Sequence, residues 1–252
     1  MLQKDLVSII MPMYNCKNYV VDSIGSVILQ TYTNWELVVV DDCSIDSSYE
    51  IVNKLSKNES RIRLYQMPRN SGVTKVRNYA LSLARGKYIA FLDSDDLWFP
   101  EKLYTQITFL REKSLFFTYS SYDAIDGKSH YINTRYSLPK ITYADMLKSN
   151  RIGHLTGIYD VDYFGKVYFE EVGHEDYVMW LKLIKQIPFT LGLKESLAQY
   201  RVMSDSLSSN KFRVLGWQWY IYRKIEKLTL VQSSYYFIFY LYNALKKRRK
   251  LY

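Results

Sequence analysis

The sequence predicts an α/β domain built on a mostly parallel central sheet flanked by helices. Three observations carry that reading. Short, nearly continuous apolar runs recur along the first half of the chain, as strands buried on both faces require. Segments with apolar residues at helical spacing separate them. Polar and acidic residues collect just after the apolar runs, where open α/β sheets place their ligands.

In chain order, Val7-Ser8-Ile9-Ile10-Met11 reads as the first strand, and Val20, Ile24, Val27 and Ile28 mark a helix. Leu37-Val38-Val39-Val40 is the second strand. Ser47 with Glu50 has the spacing of a capping box opening a helix with Ile51, Val52 and Leu55. Ile62-Arg63-Leu64-Tyr65 is a third strand, followed by a helix lined by Val76, Ala80 and Leu83. Tyr88 to Leu92 is a fourth, and Pro100 suits the first position of a helix bearing Leu103, Ile107 and Leu110. Strands alternating with helices in this way imply right-handed crossovers and parallel pairing. The second half is less regular. Phe116 to Tyr119 reads as a strand, Gly127 as a turn, and Tyr177, Trp180, Leu181 and Ile184 as a helix face preceded by Glu175-Asp176.

The chain has 252 residues, 48% of them hydrophobic, enough for one large domain with a sizeable core. No linker or repeat divides it, so only a soft division near residue 100 is expected. Cys16 and Cys43 make neither a disulfide framework nor a zinc site, and each follows a strand-like run, so both are expected as buried thiols in a reducing cytoplasm. The first apolar run is short and contains Pro12, so no secretory signal is expected. The net charge of +9 favours an anionic partner. It is concentrated at Lys246 to Lys250, beside the aromatic stretch Tyr235 to Tyr242. That stretch is far short of the ~20 residues needed to span a bilayer. Aromatic residues beside a basic cluster suit the interface of an anionic membrane, so residues 235–252 are expected to lie on the cytoplasmic leaflet; core packing with a solvated tail is the alternative. Charge gathered there, rather than along a groove, gives no reason to expect nucleic acid.

The densest chemistry is Asp93-Ser94-Asp95-Asp96 at the end of the fourth strand. Carboxylates so close repel unless something neutralises them. Mg²⁺ and Mn²⁺ bind through one or two carboxylates completed by substrate phosphates. A solvated acidic turn is the simpler alternative. Tyr14-Asn15, Asp41-Asp42, and Asn70, Gly72 and Arg77 stand near the other strand ends, and convergence on one crevice favours a ligand site.

Taken together these stretches resemble glycosyltransferase family 2. Residues 7–15 are similar to its opening strand, and residues 36–46 to its second strand and acidic turn. Residues 70–78 are similar to its glycine-arginine segment, and residues 91–96 to its DxD motif. Glu175-Asp176-Tyr177, and Gln199-Tyr200-Arg201 through Ser206-Leu207-Ser208, resemble the two later motifs. The likeness covers roughly residues 5–210 in order. It implies a GT-A fold, with a single catalytic domain over 1–210 (nucleotide-sugar half 1–100, acceptor half 101–210) and a helical, basic-aromatic extension over 211–252.

The resemblance also implies roles. Tyr14 and Asp42 would hold the nucleoside of a UDP-sugar, with Arg77 ordering the acidic pocket or touching the nucleotide. Asp95 would ligate Mn²⁺ or Mg²⁺, with Asp93 on the ribose or the metal's water shell. Asp96 and Glu101 would hold the loop or the donor sugar, although Glu101 in a first helical turn could merely favour the helix dipole. Asp176 would be the general base of an inverting displacement, with Glu175 orienting it or the acceptor; capping of the helix is the alternative. Many relatives carry a histidine where this chain has Met203, a poor ligand for a hard cation, so water or Arg201 would serve the diphosphate there. His154 and His174 are not assigned to metal. The implied reaction moves a hexose, glucose or galactose, from a UDP-sugar to a lipid-diphosphate-linked saccharide of the undecaprenyl type. Peripheral attachment to the cytoplasmic membrane face and a place in O-antigen, capsule or teichuronic-type assembly go with it. A sugar-nucleotide nucleotidyltransferase would need a Gly- and Lys/Arg-rich phosphate loop, which Met13 to Lys17 is not. A non-catalytic sugar-nucleotide-binding protein is the other alternative.

Overall fold

The computed structural model describes residues 3–202 and 211–249. The strands are β1 (Gln3–Met13), β2 (Trp35–Asp41), β3 (Ile62–Gln66), β4 (Gly86–Phe91) and β5 (Leu97–Trp98), then β6 (Phe117–Ile125), β7 (Tyr131–Arg135), β8 (Lys140–Ile141), β9 (Ile158–Asp160) and β10 (Thr190–Arg201). The helices are α1 (Val20–Ile28), α2 (Ser48–Asn58), α3 (Val73–Leu83), α4 (Lys102–Glu112) and α5 (Tyr143–Lys148), then α6 (Val161–Phe164), α7 (Glu175–Ile184), α8 (Lys211–Tyr220) and α9 (Leu230–Arg249).

The sheet runs β3-β2-β1-β4-β9-β6-β10-β5, with β7 on β6 and β8 on β10. Strands β1 to β4 pair in parallel. The three-residue β9 is antiparallel to both β4 and β6, so β6, and β10 parallel to it, run the same way as β4. The expected mostly parallel direction therefore holds for the main strands. The chain steps from β1 to β2 and β3 on one side, then returns to β4 on the other. That reversal opens a crevice beyond the carboxyl ends of β1 and β4.

Alternating side chains explain why the strands read as unbroken apolar runs. Ile10, Val38, Val40, Ile89 and Phe91 face one layer, with Val76 and Ala80 of α3 and Tyr177 to Leu181 of α7. Val7, Ile9, Leu37, Val39 and Ala90 face the other, with Val20 and Ile24 of α1 and Leu103 and Ile107 of α4. Both faces are covered, so polar alternation has no place in these strands.

Two local expectations are corrected. Ser47 precedes α2 but caps nothing, because its backbone (φ −79°, ψ 14°) is not the extended form a capping side chain needs. Asp46 does the capping, accepting from the Ser48 N–H at 2.9 Å and from its hydroxyl. Pro100 lies in the turn before α4, which begins at Lys102, and its carbonyl accepts the Thr31 N–H at 3.0 Å.

The C-terminal aromatic stretch lies within α9, inside the expected helical extension. Tyr236 and Phe237 of α9 pack against the core, as the alternative reading required. Val231, Tyr235, Ile238, Tyr242 and Leu245, at spacings of four, three, four and three residues, form one stripe that is 50–80% exposed. Asn243 ties α9 to the body. It donates to the Lys148 carbonyl and accepts from Arg151, both at 3.3 Å. Among the described residues no helix is long and apolar enough to cross a membrane.

Candidate active site

A cleft of about 510 Å³ opens at the strand ends, lined by Tyr14, Asp42, Gly72, Arg77, Asp93 and Asp95, among others. Seven of the residues singled out in the sequence, Asn70 among them, thus share one cavity. The turn after β1 is stitched to the turn after β2. Asn15, in the left-handed region at φ 49°, accepts the Ile45 N–H at 2.9 Å and donates its own N–H to Ser44. Asp42 is buried and accepts from the Ser71 and Gly72 N–H groups at 2.7 and 2.9 Å. Gly72 takes φ 86°, a conformation that favours glycine, and so can turn its N–H onto that carboxylate. Each Asp42 oxygen accepts one backbone N–H and keeps a further lone pair.

Arg77 organises the floor. Its side chain is 7% exposed; Nη2 donates to both oxygens of Asp93 at 2.7 and 3.0 Å, and Nη1 to Glu175 at 2.7 Å. Burial works to raise the Asp93 carboxyl, but Arg77 holds it below the usual carboxylate range. Among the described residues Asp95 has no such ion pair, and burial, then the charge of Asp93, push it up to about 6. Asp96 is buried and raised further, by burial first and then by Asp95 and Asp93.

The middle residue of the acidic turn is pinned by groups that no motif announces. Cys16 donates its thiol to Ser94 Oγ at 2.7 Å, and Ser23 donates to the Ser94 carbonyl at 2.9 Å. Burial pushes the Cys16 thiol up to about 11, so it stays protonated. Cys43, expected to be buried, is partly exposed in the left-handed region at φ 61°.

A divalent ion here would draw on this donor set. Among the described residues no group of three or more His, Cys, Asp or Glu could hold an ion unaided. The cleft-facing Asp95 carboxylate, unpaired beside Asp93, suits the other mode, in which one or two carboxylates and ligand phosphates share the ion. The residues therefore fit Mg²⁺ or Mn²⁺ together with a diphosphate.

Asp176 opens α7 after His174, which holds the left-handed conformation at φ 61°. Burial first, then Glu175, raise its carboxyl, and Asn150 donates to it at 3.5 Å. His174 meets Trp217 of α8 edge to face at 5.3 Å, so the C-terminal extension braces this turn.

Glu101 and Arg201 stand outside the cleft lining, and Asp96 takes the loop-holding place that was one of its two expected roles. Glu101 is exposed, does not line the cleft, and accepts from the Thr31 hydroxyl at 2.9 Å, because the turn at Pro100 aims it toward the end of α1. Asp96 accepts the Arg201 N–H at 2.8 Å and so fastens the acidic turn to β10. Arg201 is 2% exposed. Its Nε donates to the Asp95 carbonyl at 2.8 Å, its Nη1 to the Asp126 carbonyl at 3.0 Å, and it lies over Tyr19. These contacts make it a support of the acidic turn rather than a lining residue. Met203 and residues 206–208 lie outside the described residues.

His154 sits behind the floor, stacked on Phe91 with ring centroids 4.6 Å apart, and among the described residues neither ring nitrogen has a hydrogen-bond partner. Burial, then Arg77, push its imidazole down to about 3, so it is neutral in the fold. Its value in the unfolded chain is about 6.5, so protonation favours unfolding and stability falls as the pH drops below that point. Between pH 7 and pH 5 the wild type is expected to lose about 2 kcal/mol more than His154→Phe. Denaturant titrations at both pH values check this; equal losses would mean that the imidazole is not held neutral.

Comparison with known proteins agrees with the cleft. The model of glycosyl transferase family 2 matches residues 8–165. A protein named as a teichuronic acid biosynthesis glycosyltransferase in Bacillus subtilis (strain 168) is 37% identical over 97% of this chain and 98% of its own. An Escherichia coli UDP-Glc:α-D-GlcNAc-diphosphoundecaprenol β-1,3-glucosyltransferase is 38% identical over 96% of this chain and 94% of its own. Among solved structures, S. aureus TarS 1–349 in complex with UDP-GlcNAc superposes with a TM-score of 0.71 at 22% identity, covering 93% of this chain and 71% of that one. This likeness carries the fold, which is GT-A. A family model that takes in the strand-end cleft and the acidic turn, joined by relatives that match nearly the whole length, places the chain in glycosyl transferase family 2.

Proposed function

We propose that this glycosyltransferase moves a hexose, with glucose favoured over galactose, from a UDP-sugar to a hydroxyl of a saccharide carried on a lipid diphosphate, with inversion. The product would enter a bacterial surface polysaccharide. The Escherichia coli relative's name supports the donor and the acceptor class, and the Bacillus relative's name supports the pathway class. The observation that carries the reading is the Arg77 bridge, which draws Asp93 of the acidic turn and Glu175 of the Glu-Asp pair to one cleft.

Tyr14 and Asp42 hold the nucleoside, the exposed ring stacking and the carboxylate accepting from the base. Asp95, with Asp93, holds Mn²⁺ or Mg²⁺, which when bound offsets the charge building on departing UDP. Asp176 takes the acceptor hydroxyl's proton as that oxygen bonds to the anomeric carbon and the carbon–phosphate oxygen bond breaks. Residues 1–210 form the catalytic unit. UDP-glucose incubated with Mn²⁺ and a GlcNAc-diphosphate lipid is expected to yield UDP and a glucosylated lipid, and Asp95→Asn to lose at least a hundredfold in rate. Wild-type rates from that variant would remove the metal site, and the absence of any hexosyl product would remove the reading.

The extension over 211–252 holds the enzyme on the cytoplasmic membrane face. The exposed stripe of α9 leads into Lys246-Lys247-Arg248-Arg249-Lys250 in the sequence, and apolar area beside basic charge binds anionic lipid. The double variant Val231→Glu/Ile238→Glu is expected to stop sedimenting with phosphatidylglycerol vesicles while still binding UDP. Undiminished sedimentation would remove α9 as the contact.

A further inference from the structure

A pair of tyrosines stands beside the strand that fastens the acidic turn. Tyr122 lies on β6 and Tyr200 on the adjacent parallel strand β10, and their rings meet edge to face at 6.1 Å. A Cβ on Gly153 would come within 2.7 Å of the Tyr122 ring, so the bare backbone there lets the ring seat. Tyr122 is half-buried, with one side packed against the core, and Tyr200 is 40% exposed, so the pair still presents ring surface outward.

The electrostatic surroundings agree with the position that the strand register gives the pair. Burial raises the Tyr122 phenol, Arg135 opposes this, and the charges of Asp96 and Asp176 raise it further. Burial, then Asp96, Asp93 and Asp95, push the Tyr200 phenol up to about 12. Tyr200 immediately precedes Arg201, whose N–H donates to Asp96 at 2.8 Å, and Gly153 under the Tyr122 ring lies three residues after Asn150, which donates to Asp176 at 3.5 Å; the pair therefore has the acidic turn on one side and the segment that touches Asp176 on the other. Arg135 stands opposite Tyr122 across the β6–β7 register, and among the described residues no carboxylate pairs with it.

A pyranose offers a face of weakly positive C–H bonds with hydroxyls around its rim. Aromatic rings offer a negative face, and tyrosine adds a polar tip. Arginine matches phosphate oxygens with a rigid fork of donors. We propose that Tyr122 and Tyr200 form the acceptor subsite, holding the pyranose whose hydroxyl faces Asp176, and that Arg135 meets the diphosphate attached to that sugar. This rests on the transfer reading above and adds where the acceptor sits. It also accounts for a partly exposed tyrosine pair beside an acidic centre that otherwise has no use for one.

The test uses the full chain with saturating UDP-glucose and two acceptors: GlcNAc diphosphate on an alkyl chain, and GlcNAc on a neutral alkyl group. Tyr200→Ala, at an exposed position, is expected to raise the acceptor KM at least tenfold on both, and Tyr122→Leu to do the same. Arg135→Gln is expected to raise it only on the diphosphate acceptor. UDP affinity by calorimetry stays within twofold in all three variants, which separates the subsite from misfolding. Wild-type transfer with an unchanged KM in Tyr200→Ala overturns the aromatic subsite. Equal loss on both acceptors, or none, in Arg135→Gln overturns the diphosphate contact. A wild type that glucosylates neither acceptor overturns the parent reading, and this subsite with it.

Discussion

Asp176→Asn is expected to lower kcat by two to four orders of magnitude, the range that a positioned general base contributes, while UDP affinity and folding stay near wild type. The substitution keeps the shape of the side chain and removes only its capacity to take a proton. Asp176 stands at the first turn of α7, fixed by the left-handed His174 before it and by Asn150 beside it. Its carboxyl is raised, by burial and then by Glu175, above the ~3.9 of a free aspartate. A base works only when deprotonated, so kcat/KM should climb with pH through that raised value and level off above it. In Asp176→Asn the part of the limb set by Asp176 should be gone, leaving only the part set by Asp95, which is pushed up to about 6. A pH–rate series on both proteins checks the two statements together. Activity within fivefold of wild type, or an unchanged acid limb in the variant, would move the base elsewhere.

Arg77→Met is expected to be the most damaging single change to the fold around the cleft. It leaves Asp93 and Glu175 facing each other's surroundings without the cation that both contact. Breaking a buried ion pair from one side costs about 3–5 kcal/mol, a large part of the roughly 5–15 kcal/mol of a typical domain. For a chain of this size that corresponds to a fall of roughly 6–20 °C in Tm. Arg77→Lys keeps the charge but lacks the fork that reaches two carboxylates, so it should recover only part of the loss. Because Asp93 is held below its ordinary value, its share of the stabilisation is present above about pH 4 and disappears as the pH falls through the folded value. The gap between wild type and Arg77→Met should therefore narrow in acid. Calorimetric melting at two pH values measures it; a gap of less than about 2 °C at pH 7 would show that water replaces the guanidinium at no cost.

The parallel half of the sheet was legible because its strands are covered on both faces, so Ile9, Ile10, Val38 and Val39 appear as unbroken apolar runs. Residues that end those strands, Tyr14, Asp42, Asp93 and Asp95, were legible as a cleft for the same topological reason. Strand β9 was not, since three residues slipped between β4 and β6 are held by pairing from distant parts of the chain rather than by local pattern. Spacing also says nothing about which way a polar side chain turns. Glu101 went to Thr31, and Arg201 closed over the backbone carbonyls of Asp95 and Asp126. The Cys16–Ser94 contact, 78 positions apart, has no sequence signal at all. In α9 the aromatic run conceals two opposite fates, Tyr236 and Phe237 turning inward while Tyr235 and Ile238 turn out.

Asn243 closes two hydrogen bonds onto Lys148 and Arg151, and Asn150, lying between those two in sequence, is the residue that touches Asp176. A fragment trimmed before Leu230 for ease of purification would lose this clasp together with the outward stripe. Its turnover would then fall for a reason unrelated to lipid, and comparisons in detergent or on vesicles should be made with the uncut polypeptide.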